Sequence, residues 1–470
     1  MHTDGIVTCS NRQLPAASGG VPAAHRRAVL SPVLVFVSAT VAAVVTFGAF
    51  SAVLRSRGAL FTRGDPVGYY VYLRSLVHDH DLEFTNDYGL FQPSADIPGP
   101  NLGRIDATTG RPDNNYTVGQ PLLVAPIYAA GNAVFAPFYG TDRGGARFPL
   151  FLDQLIFSYG ALLVGVAGIW VSFRFVCLYF PERESLLATI AFWLCSPLLY
   201  YIAREPFQSH AASVFAVSLF LYVWRAPSRR PRLRWILIGA GAALVLMARQ
   251  QDGVILLVPA GAALVHDGWR RCARTLPTML PFISVGFIPL FAIQMLVWHT
   301  LRGSFVSYAY RGQEFEYLTR PYITAVLFSS NHGVISWHPI IAVCLLGLAL
   351  LSIREYPVIG RLALVCFAAQ LYMLGAWWCW WMGNSFGHRG FLGLTPLFIL
   401  GLAAVLARLT HRWTRRLSAV GVASLCLWNV VLLFAYLSEM IPYEGDFSWW
   451  TLVTALPHLP ARILAKVGSL

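Results

Sequence analysis

A carboxylate at the start of an apolar, tyrosine-rich segment is the first candidate for chemistry in this sequence. Asp65 is followed by Pro66 and by the pair Tyr69 and Tyr70. An aspartate suits the N-cap of a helix and a proline suits its first position, while the apolar residues that follow form one stripe. We therefore expect an amphipathic helix that begins here and lies on a membrane surface. Asp65 either only caps this helix or acts as a general base on an acceptor hydroxyl.

A second acidic group closes the same segment. Asp79 and Asp81 belong to the run from His78 to Asp87, in which six of ten residues are acidic or histidine. Carboxylate oxygens are the ligands that Mg²⁺ or Mn²⁺ prefers, whereas zinc requires histidines in a fixed geometry. The spacing matches no recognised ligand motif. A divalent-cation site that uses Asp79 and Asp81 and a solvated helix end therefore both stay open.

The most unusual segment lies late in the chain, between Trp377 and Gly390. It has four tryptophans within five residues, the last of them Trp381, and then His388 and Arg389. Tryptophan is common at the membrane–water interface, and non-helical backbone at membrane depth must be buried in protein or line a wet cavity. A guanidinium in such a cavity could bind a lipid phosphate through two parallel hydrogen bonds. The aromatic rings could stack on a sugar or on an isoprenoid chain.

Other ionisable groups stand at the ends of apolar segments, where such groups are functional candidates. The candidates for binding substrate are Arg389, His388, Arg204, His210, His332, Tyr69 and Trp381. A purely structural role is the main alternative for His210. Arg249 and Asp252 are expected to pair with each other.

The composition restricts the class of protein. The 470 residues are 56% hydrophobic and only 12% charged, whereas a soluble domain is about a quarter charged. This excludes an ordinary soluble enzyme, a disordered protein and a fibrous one, and it favours an all-α polytopic membrane protein. Eleven apolar segments are candidate transmembrane helices: Ala28–Leu54, Leu150–Leu178, Leu186–Ile202, Ser209–Trp224, Trp235–Ala248, Gly253–Val265, Leu276–Thr300, Ile335–Ser352, Leu362–Ala376, Phe391–Ala407 and Leu417–Leu437.

Arginine clusters predict the orientation. They fall at 225–234, 270–274, 354–361 and 408–416, and short basic loops stay in the cytoplasm. With eleven spans and the N-terminus inside, every cluster is inside. A further crossing by Gly119–Phe138 would place the clusters outside, so this segment is predicted to be interfacial or re-entrant. The net charge of +13 then comes largely from the basic loops that orient the protein in the membrane. No nucleic-acid partner is expected.

The same topology gives a domain organisation. Residues 1–27 are predicted to be a disordered cytoplasmic tail, 28–437 a single transmembrane domain, and 438–470 a tail on the outer face. Residues 55–149 form a long outer loop that carries interfacial helices. Lys466 is the only lysine among 35 basic residues. This bias, with the Ala, Gly and Val content, indicates a GC-rich bacterial genome and hence a bacterial plasma (inner) membrane, with the active site on its outer, periplasmic face.

The order of these motifs resembles that of the GT-C superfamily of integral-membrane glycosyltransferases, which includes the protein O-mannosyltransferases and the aminoarabinose transferases of lipid A. The likeness comprises Asp65 with its tyrosine pair, the Pro-Leu entry at Gly119–Leu122, the His-Gly and Trp-His-Pro sequences after Asn331, and the Gly-Asn-Ser-Phe-Gly-His-Arg sequence that ends at Arg389. It covers Asp65 to the tenth span. The Gly-Gln-Pro-Leu entry departs from the His-Pro-Pro or Lys-Pro-Pro of several relatives.

The resemblance implies a polyprenyl-phosphate sugar donor, a glycan, lipid or protein acceptor in the cell envelope, and an inverting reaction in a cavity at the outer face among membrane lipids. By position, Asp65 resembles the catalytic base and Asp79 or Asp81 the second acidic residue of some members. His388 and Arg389 resemble donor-phosphate ligands. The alternative is a transporter or flippase of a lipid-linked saccharide, which would use the same cavity and arginines without a base.

Overall fold

The chain folds into helices throughout the part that the structure describes. This computed structural model describes residues 31–54, 59–61, 64–91, 104–138 and 148–468. Within these ranges there is no strand, only an isolated antiparallel bridge between Ile105 and Pro112. The all-α prediction is confirmed there. The predicted disordered tail, residues 1–27, lies outside the described ranges.

Eighteen α-helices follow one another in the described residues. They are α1 (Pro32–Leu54), α2 (Asp65–Arg74), α3 (Thr85–Gly89), α4 (Gly119–Phe135), α5 (Phe148–Val176), α6 (Glu182–Cys195), α7 (Leu198–Ala203), α8 (His210–Arg225), α9 (Pro231–Ala248), α10 (Leu257–Arg302), α11 (Ile323–Phe328), α12 (Val334–Trp337), α13 (Ile340–Ile353), α14 (Pro357–Ala376), α15 (Thr395–Arg408), α16 (Arg412–Leu437), α17 (Trp449–Ala455) and α18 (Leu459–Gly468). Short 3₁₀ turns at Gln250–Leu256 and Arg389–Leu394 lead into α10 and α15.

Seven helical stretches in the described residues are long and apolar enough to cross a membrane. Two shorter apolar helices, α8 and α13, accompany them. One of the seven stretches, Gln250–Arg302, breaks at Gly268, where φ is 73°, and so contains two of the predicted spans. The predicted segments fall on helical residues in the described part of the chain, but two of them are interrupted. Leu186–Ile202 is divided between α6 and α7, and Ile335–Ser352 is divided between α12 and α13. The number of crossings and their orientation stay predictions.

Glycines set the closest helix contacts. A Cβ on Gly239 of α9 would stand 2.0 Å from the Ile283 carbonyl oxygen of α10, and one on Gly286 of α10 would stand 1.9 Å from that of Ile236. A Cβ on Gly347 of α13 would meet the Gly401 carbonyl of α15 in the same way. Small residues let helix backbones approach within membranes, where packing rather than hydrophobic burial drives association.

Helix α4 enters the bundle at its N-terminal end. A Cβ on Gly119 would lie 2.3 Å from the Ala248 nitrogen at the end of α9. Val118 N–H donates to Gln294 Oε1 of α10 over 2.9 Å. The segment forms 17 residues of α-helix and then a 3₁₀ turn. Whether it is interfacial or re-entrant stays a prediction.

Helix α2 differs from its sequence-based description in two ways. Gly64, with φ at 75°, is the N-cap, and Asp65 is the first helical residue and makes no capping hydrogen bond. Positions 66–73 are all buried, so the helix is enclosed by protein on every side instead of presenting one apolar stripe to a membrane surface. The helix can be buried because the hydroxyl groups of its tyrosines donate hydrogen bonds to groups inside the protein.

The C-terminal segment is folded onto the loops that precede α12. Asp446 accepts hydrogen bonds from the hydroxyls of Ser329 and Ser330, both over 2.9 Å. Trp449 packs against Trp428 and Trp337. Residues 446–449 therefore pack against the loop before α12 and against α12 and α16.

Candidate functional site

Asp65 and Arg389 form an ion pair. Asp65 Oδ2 lies 3.1 Å from an Arg389 terminal nitrogen, with 32% of the Asp65 side chain and 14% of the Arg389 side chain exposed. The structure thus joins the candidate base and the candidate phosphate ligand directly. The pair remains accessible because about a third of the carboxylate faces solvent.

Tyr116 holds the other oxygen of the same carboxylate. Its hydroxyl donates to Asp65 Oδ1 over 2.7 Å. Burial and the neighbouring Asp65 raise the pKa of Tyr116 well above its ordinary value, so the phenol stays protonated and donates. Tyr72 O–H in turn donates to the Tyr116 carbonyl, and Asn114 Oδ1 accepts from Tyr116 N–H. Asp65 therefore points at Arg389 because the loop residue Tyr116, itself held by Tyr72 of α2 and by Asn114, fixes it there.

A fully buried arginine anchors the loop that carries Tyr116. Arg302 Nε donates to Asp113 Oδ1 over 2.6 Å, and its terminal nitrogens donate to the carbonyls of Asn114, Tyr308 and Ala309. One side chain thus ties the loop before Tyr116 to the loop before Tyr310. Sequence reasoning missed Arg302, which closes the last turn of an apolar helix.

The tryptophan segment is fixed by three of the predicted site residues at once. His388 Nε2 donates to the Trp380 carbonyl over 2.9 Å, His332 Nδ1 donates to the Trp381 carbonyl over 3.1 Å, and Arg389 Nε donates to the Met382 carbonyl over 3.1 Å. We call residues 380–382 the tryptophan turn. His332 and Met382 have φ values of 65° and 68°, a region that costs non-glycine residues energy.

The two histidines behind the turn are neutral. Burial is the main cause that lowers the pKa of His332 to about 4 and that of His388 to about 3. Each ring therefore carries a single N–H, and each gives it to a backbone carbonyl. The structure places His388 and His332 as supports of the turn, with Arg389 as the member of the set that reaches the carboxylate.

Tyr69 and the linker after α7 complete the surroundings of the pair. Tyr69 O–H donates to Ser209 Oγ over 2.8 Å, and its ring packs on Tyr116 with centroids 4.7 Å apart. Arg389 also donates to Gln208 Oε1 over 3.3 Å. The second member of the tyrosine pair turns the other way, because Tyr70 O–H donates to Asp153, a buried carboxylate of α5.

His210 has a partner that the sequence did not indicate. Arg249 lies 2.7 Å from His210 Nδ1. Arg249 and Asp252 make no direct ion pair among the described residues, because the Asp252 carboxylate accepts from Ser213 Oγ, although Arg249 lies within electrostatic reach of it. The 3₁₀ turn after Arg249 directs Asp252 back into the bundle.

Asp79 and Asp81 lie away from this pair. Asp79 Oδ2 accepts from Arg74 over 2.7 Å, and Asp81 Oδ1 accepts from Ser75 Oγ over 2.7 Å. Both therefore stabilise the turn after α2. No group of three His, Cys, Asp or Glu side chains converges as a metal site in the ranges that the structure describes, so these residues do not fit the Mg²⁺ or Mn²⁺ site considered for them.

Arg204 and Trp381 have separate surroundings. The Arg204 guanidinium lies 3.2 Å from the ring centroid of Phe50 in α1, a cation–π contact that faces α1 and not the carboxylate of Asp65. Trp381 Nε1 is 3.4 Å from Glu444 Oε2, and its carbonyl belongs to the tryptophan turn. Neither contact indicates that the side chain binds substrate.

Asp65, Gln208 and Arg389 meet although they come from three loops that are far apart in the sequence. Arg302, at the end of α10, is bonded to Asn114 in the same long loop as Asp65. Sequence reasoning missed Tyr116 and Gln208 as members of the site. The Asp113–Gly119 stretch gave a weak signal for Tyr116, since its polar residues precede an apolar helix, while nothing in the sequence singled out Gln208.

No model of a protein family, no curated protein and no solved structure matches the chain. What the site can do is therefore inferred from its own residues.

Proposed function

We propose that the chain is a GT-C-type glycosyltransferase of the bacterial plasma membrane. It transfers a sugar from a polyprenyl-phosphate donor to an acceptor of the cell envelope, at the outer face, with inversion. Asp65 is the base and Arg389 binds the donor phosphate. The observation that carries the proposal is the accessible ion pair of Asp65 and Arg389, in which a candidate base and a candidate phosphate ligand already touch.

In this proposal, Arg389 exchanges the Asp65 carboxylate for the donor phosphate. A phosphate group is a stronger partner for a guanidinium than one carboxylate oxygen, because it offers bidentate charge-assisted hydrogen bonds. Donor binding therefore draws Arg389 away from Asp65. The carboxylate keeps the Tyr116 hydrogen bond and gains a free oxygen for the acceptor hydroxyl.

The reaction then follows as one displacement at the anomeric carbon. The acceptor hydroxyl gives its proton to Asp65 while its oxygen bonds to that carbon. The bond from carbon to phosphate oxygen breaks, and its electron pair stays on the phosphate. Arg389 stabilises the charge that develops there, which is the role that positioned cations have at departing phosphates. Base catalysis of this kind contributes about 10²–10⁴-fold in rate.

The test is transfer by the purified full chain from a labelled polyprenyl-phosphate sugar to delipidated envelope acceptors. We expect Asp65→Asn to lose at least a hundredfold in turnover while it keeps normal expression and membrane insertion. Asparagine preserves the size of the side chain and a partner for Tyr116. Glu83→Gln is the matched control, because Glu83 is a carboxylate of the same loop that bonds only to nearby Thr85 among the contacts seen.

Two results contradict the proposal. Near-normal turnover by Asp65→Asn would show that Asp65 is not the base. Translocation of the labelled lipid across liposomes without any transfer or hydrolysis would favour the transporter instead, because a flippase needs the cavity but no chemistry at the anomeric carbon.

A further inference from the structure

The C-terminal helix α18 returns to the end of α16. Helix α16 is long and apolar enough to cross a membrane, and Leu427 and Phe434 in its second half are 65% and 41% exposed. Apolar side chains exposed on such a helix face lipid. Lys466 of α18 pairs with Glu439, two residues after α16 ends. Helix α18 therefore lies at the level of the membrane surface.

Large apolar side chains of the C-terminal segment stay exposed. Leu464 of α18 is 73% exposed, and Trp450 and Val453 of α17 are 76% and 46% exposed. On α18, the half-buried Leu459 and Ile463 belong to the same apolar face as Leu464, so protein covers only part of that face. Tryptophan and leucine are residues that interfacial helices insert between lipid headgroups and acyl chains. The segment is thus suited to lie in a membrane interface.

Two cations occupy the other face of α18. Arg462 and Lys466 are four residues apart, so they are neighbours on one side of the helix. Together with Ser438 and Ala465 they line an open cavity of about 320 Å³ beside the end of α16. A guanidinium, an ammonium and a hydroxyl can all donate hydrogen bonds. The cavity therefore offers donors to an anion.

The charges around this cavity do not cancel. Glu439 accepts from Lys466, which compensates one cation. The other two acidic residues of the described segment 438–468 bond elsewhere, Glu444 to the tryptophan turn and Asp446 to the loop before α12. Among the described residues, two cations and one carboxylate thus leave one positive charge, that of Arg462.

We propose that α18 is an interfacial helix whose cavity binds the phosphate of an anionic phospholipid headgroup. Arg462 and Lys466 donate charge-assisted hydrogen bonds to the phosphate oxygens, while Leu464 and Trp450 enter the acyl region beside α16. An anionic headgroup matches the single positive charge of the cavity, whereas a zwitterionic headgroup brings its own cation. The site uses none of the residues assigned to sugar transfer, so it does not depend on the proposed function.

The experiment measures hydrogen–deuterium exchange of the full chain in nanodiscs. One set of discs contains phosphatidylcholine alone, and the other contains one part phosphatidylglycerol to two parts phosphatidylcholine. We expect the amides of α18 to exchange about tenfold more slowly with phosphatidylglycerol, as a ligand of the docked helix produces at roughly ten times its dissociation constant. Helix α15, which is buried in the bundle, is the internal reference and should not change.

Arg462→Gln tests the cavity directly. It removes the uncompensated charge and leaves the pair of Lys466 and Glu439 in place, so the slowing by phosphatidylglycerol should disappear. Arg320→Gln is the matched control, because it removes an exposed arginine from the loop before α11 and should keep the full effect. Melting temperatures are compared first. If Arg462→Gln does not fold, Ala465→Glu gives the same test by placing a carboxylate in the cavity.

Glu439→Gln distinguishes lipid binding from a purely structural ion pair. This variant releases Lys466 from its carboxylate and raises the net positive charge of the cavity. If the cavity binds a headgroup, phosphatidylglycerol should slow exchange of α18 more than it does in the unchanged chain. If the pair only holds the helix in place, exchange becomes faster to the same extent in both kinds of disc, which contradicts the proposal.

Three further results overturn the proposal. Equal exchange of α18 in the two kinds of disc would show that the helix does not distinguish the headgroups. An effect of phosphatidylglycerol that persists in Arg462→Gln would show that the cavity is not its site. Inorganic phosphate that slows exchange in phosphatidylcholine discs as much as phosphatidylglycerol does would assign the cavity to a free anion instead of a lipid.

Discussion

Asp65 Oδ2 and the Arg389 guanidinium lie 3.1 Å apart although 324 positions separate them in the sequence. The pair is partly buried, with 32% of the Asp65 side chain and 14% of the Arg389 side chain exposed. It therefore lies between exposed ion pairs, which contribute about 0.2–1 kcal/mol, and buried pairs, whose breakage costs about 3–5 kcal/mol. The exposed part of Asp65 gives a ligand access to the pair.

The first prediction concerns this pair. In a double-mutant cycle of Asp65→Asn and Arg389→Gln, we expect a coupling free energy in unfolding below the about 3–5 kcal/mol of a fully buried pair, while each single variant loses most of the transfer activity. Thermal unfolding in detergent and transfer assays on the same samples measure both. A coupling of several kcal/mol would mean that the pair is structural.

The second prediction concerns Arg302. Arg302→Gln leaves the Asp113 carboxylate buried without a cation, and breaking a buried pair in this way costs about 3–5 kcal/mol. We expect a large fall in melting temperature and a loss of activity, since the loop before Tyr116 comes free. Arg311→Gln is the control, because Arg311 pairs with Asp106 from a half-exposed position. Equal effects of the two variants would show that the Arg302 contacts are not an anchor.

The third prediction is a loss of stability in acid. His332 and His388 are neutral in the fold, with pKa values lowered to about 4 and about 3 mainly by burial, but unfolded histidine titrates near 6.5. Below about pH 6.5 the unfolded chain binds more protons, so stability is complete above this pH and falls as pH approaches 4. Each histidine contributes up to about 1.4 kcal/mol per pH unit in this window. Melting temperatures between pH 7.5 and 5 measure the slope.

Two variants assign that slope to the histidines. His388→Gln keeps a donor for the Trp380 carbonyl, and His332→Asn suits the left-handed backbone at that position. Both should flatten the acid side of the curve. Asp87 acts in the opposite sense, because burial raises its pKa to about 6 and its protonation on acidification favours the fold. An unchanged slope in both variants would contradict the prediction.

The fourth prediction concerns the entry of α4. In Gly119→Ala the new Cβ would stand 2.3 Å from backbone atoms of Met247 and Ala248, which cannot move aside as a flexible side chain would. We expect a loss of about 1–3 kcal/mol in unfolding free energy. Gly421→Ala, in open space on α16, is the control. An unchanged unfolding free energy in Gly119→Ala would show that α4 and the end of α9 can move apart at little cost.

The sequence predicted the helices and the two charged residues of the pair, because apolar length and residue type carry those signals. It did not predict their partners. Tyr116 is 51 positions from Asp65, and Gln208 is 181 positions from Arg389. Such contacts arise only when the bundle has assembled. The expected N-cap role of Asp65 failed for a local reason, since Gly64 took the cap and left the carboxylate free to turn towards Arg389.

The tryptophan turn has a consequence for engineering. Its three carbonyls are consecutive, and each accepts a hydrogen bond from a different side chain: His388, His332 and Arg389. Deleting or inserting a single residue there would move all three carbonyls away from their hydrogen-bond donors at once. The length of this segment is therefore constrained as tightly as its composition.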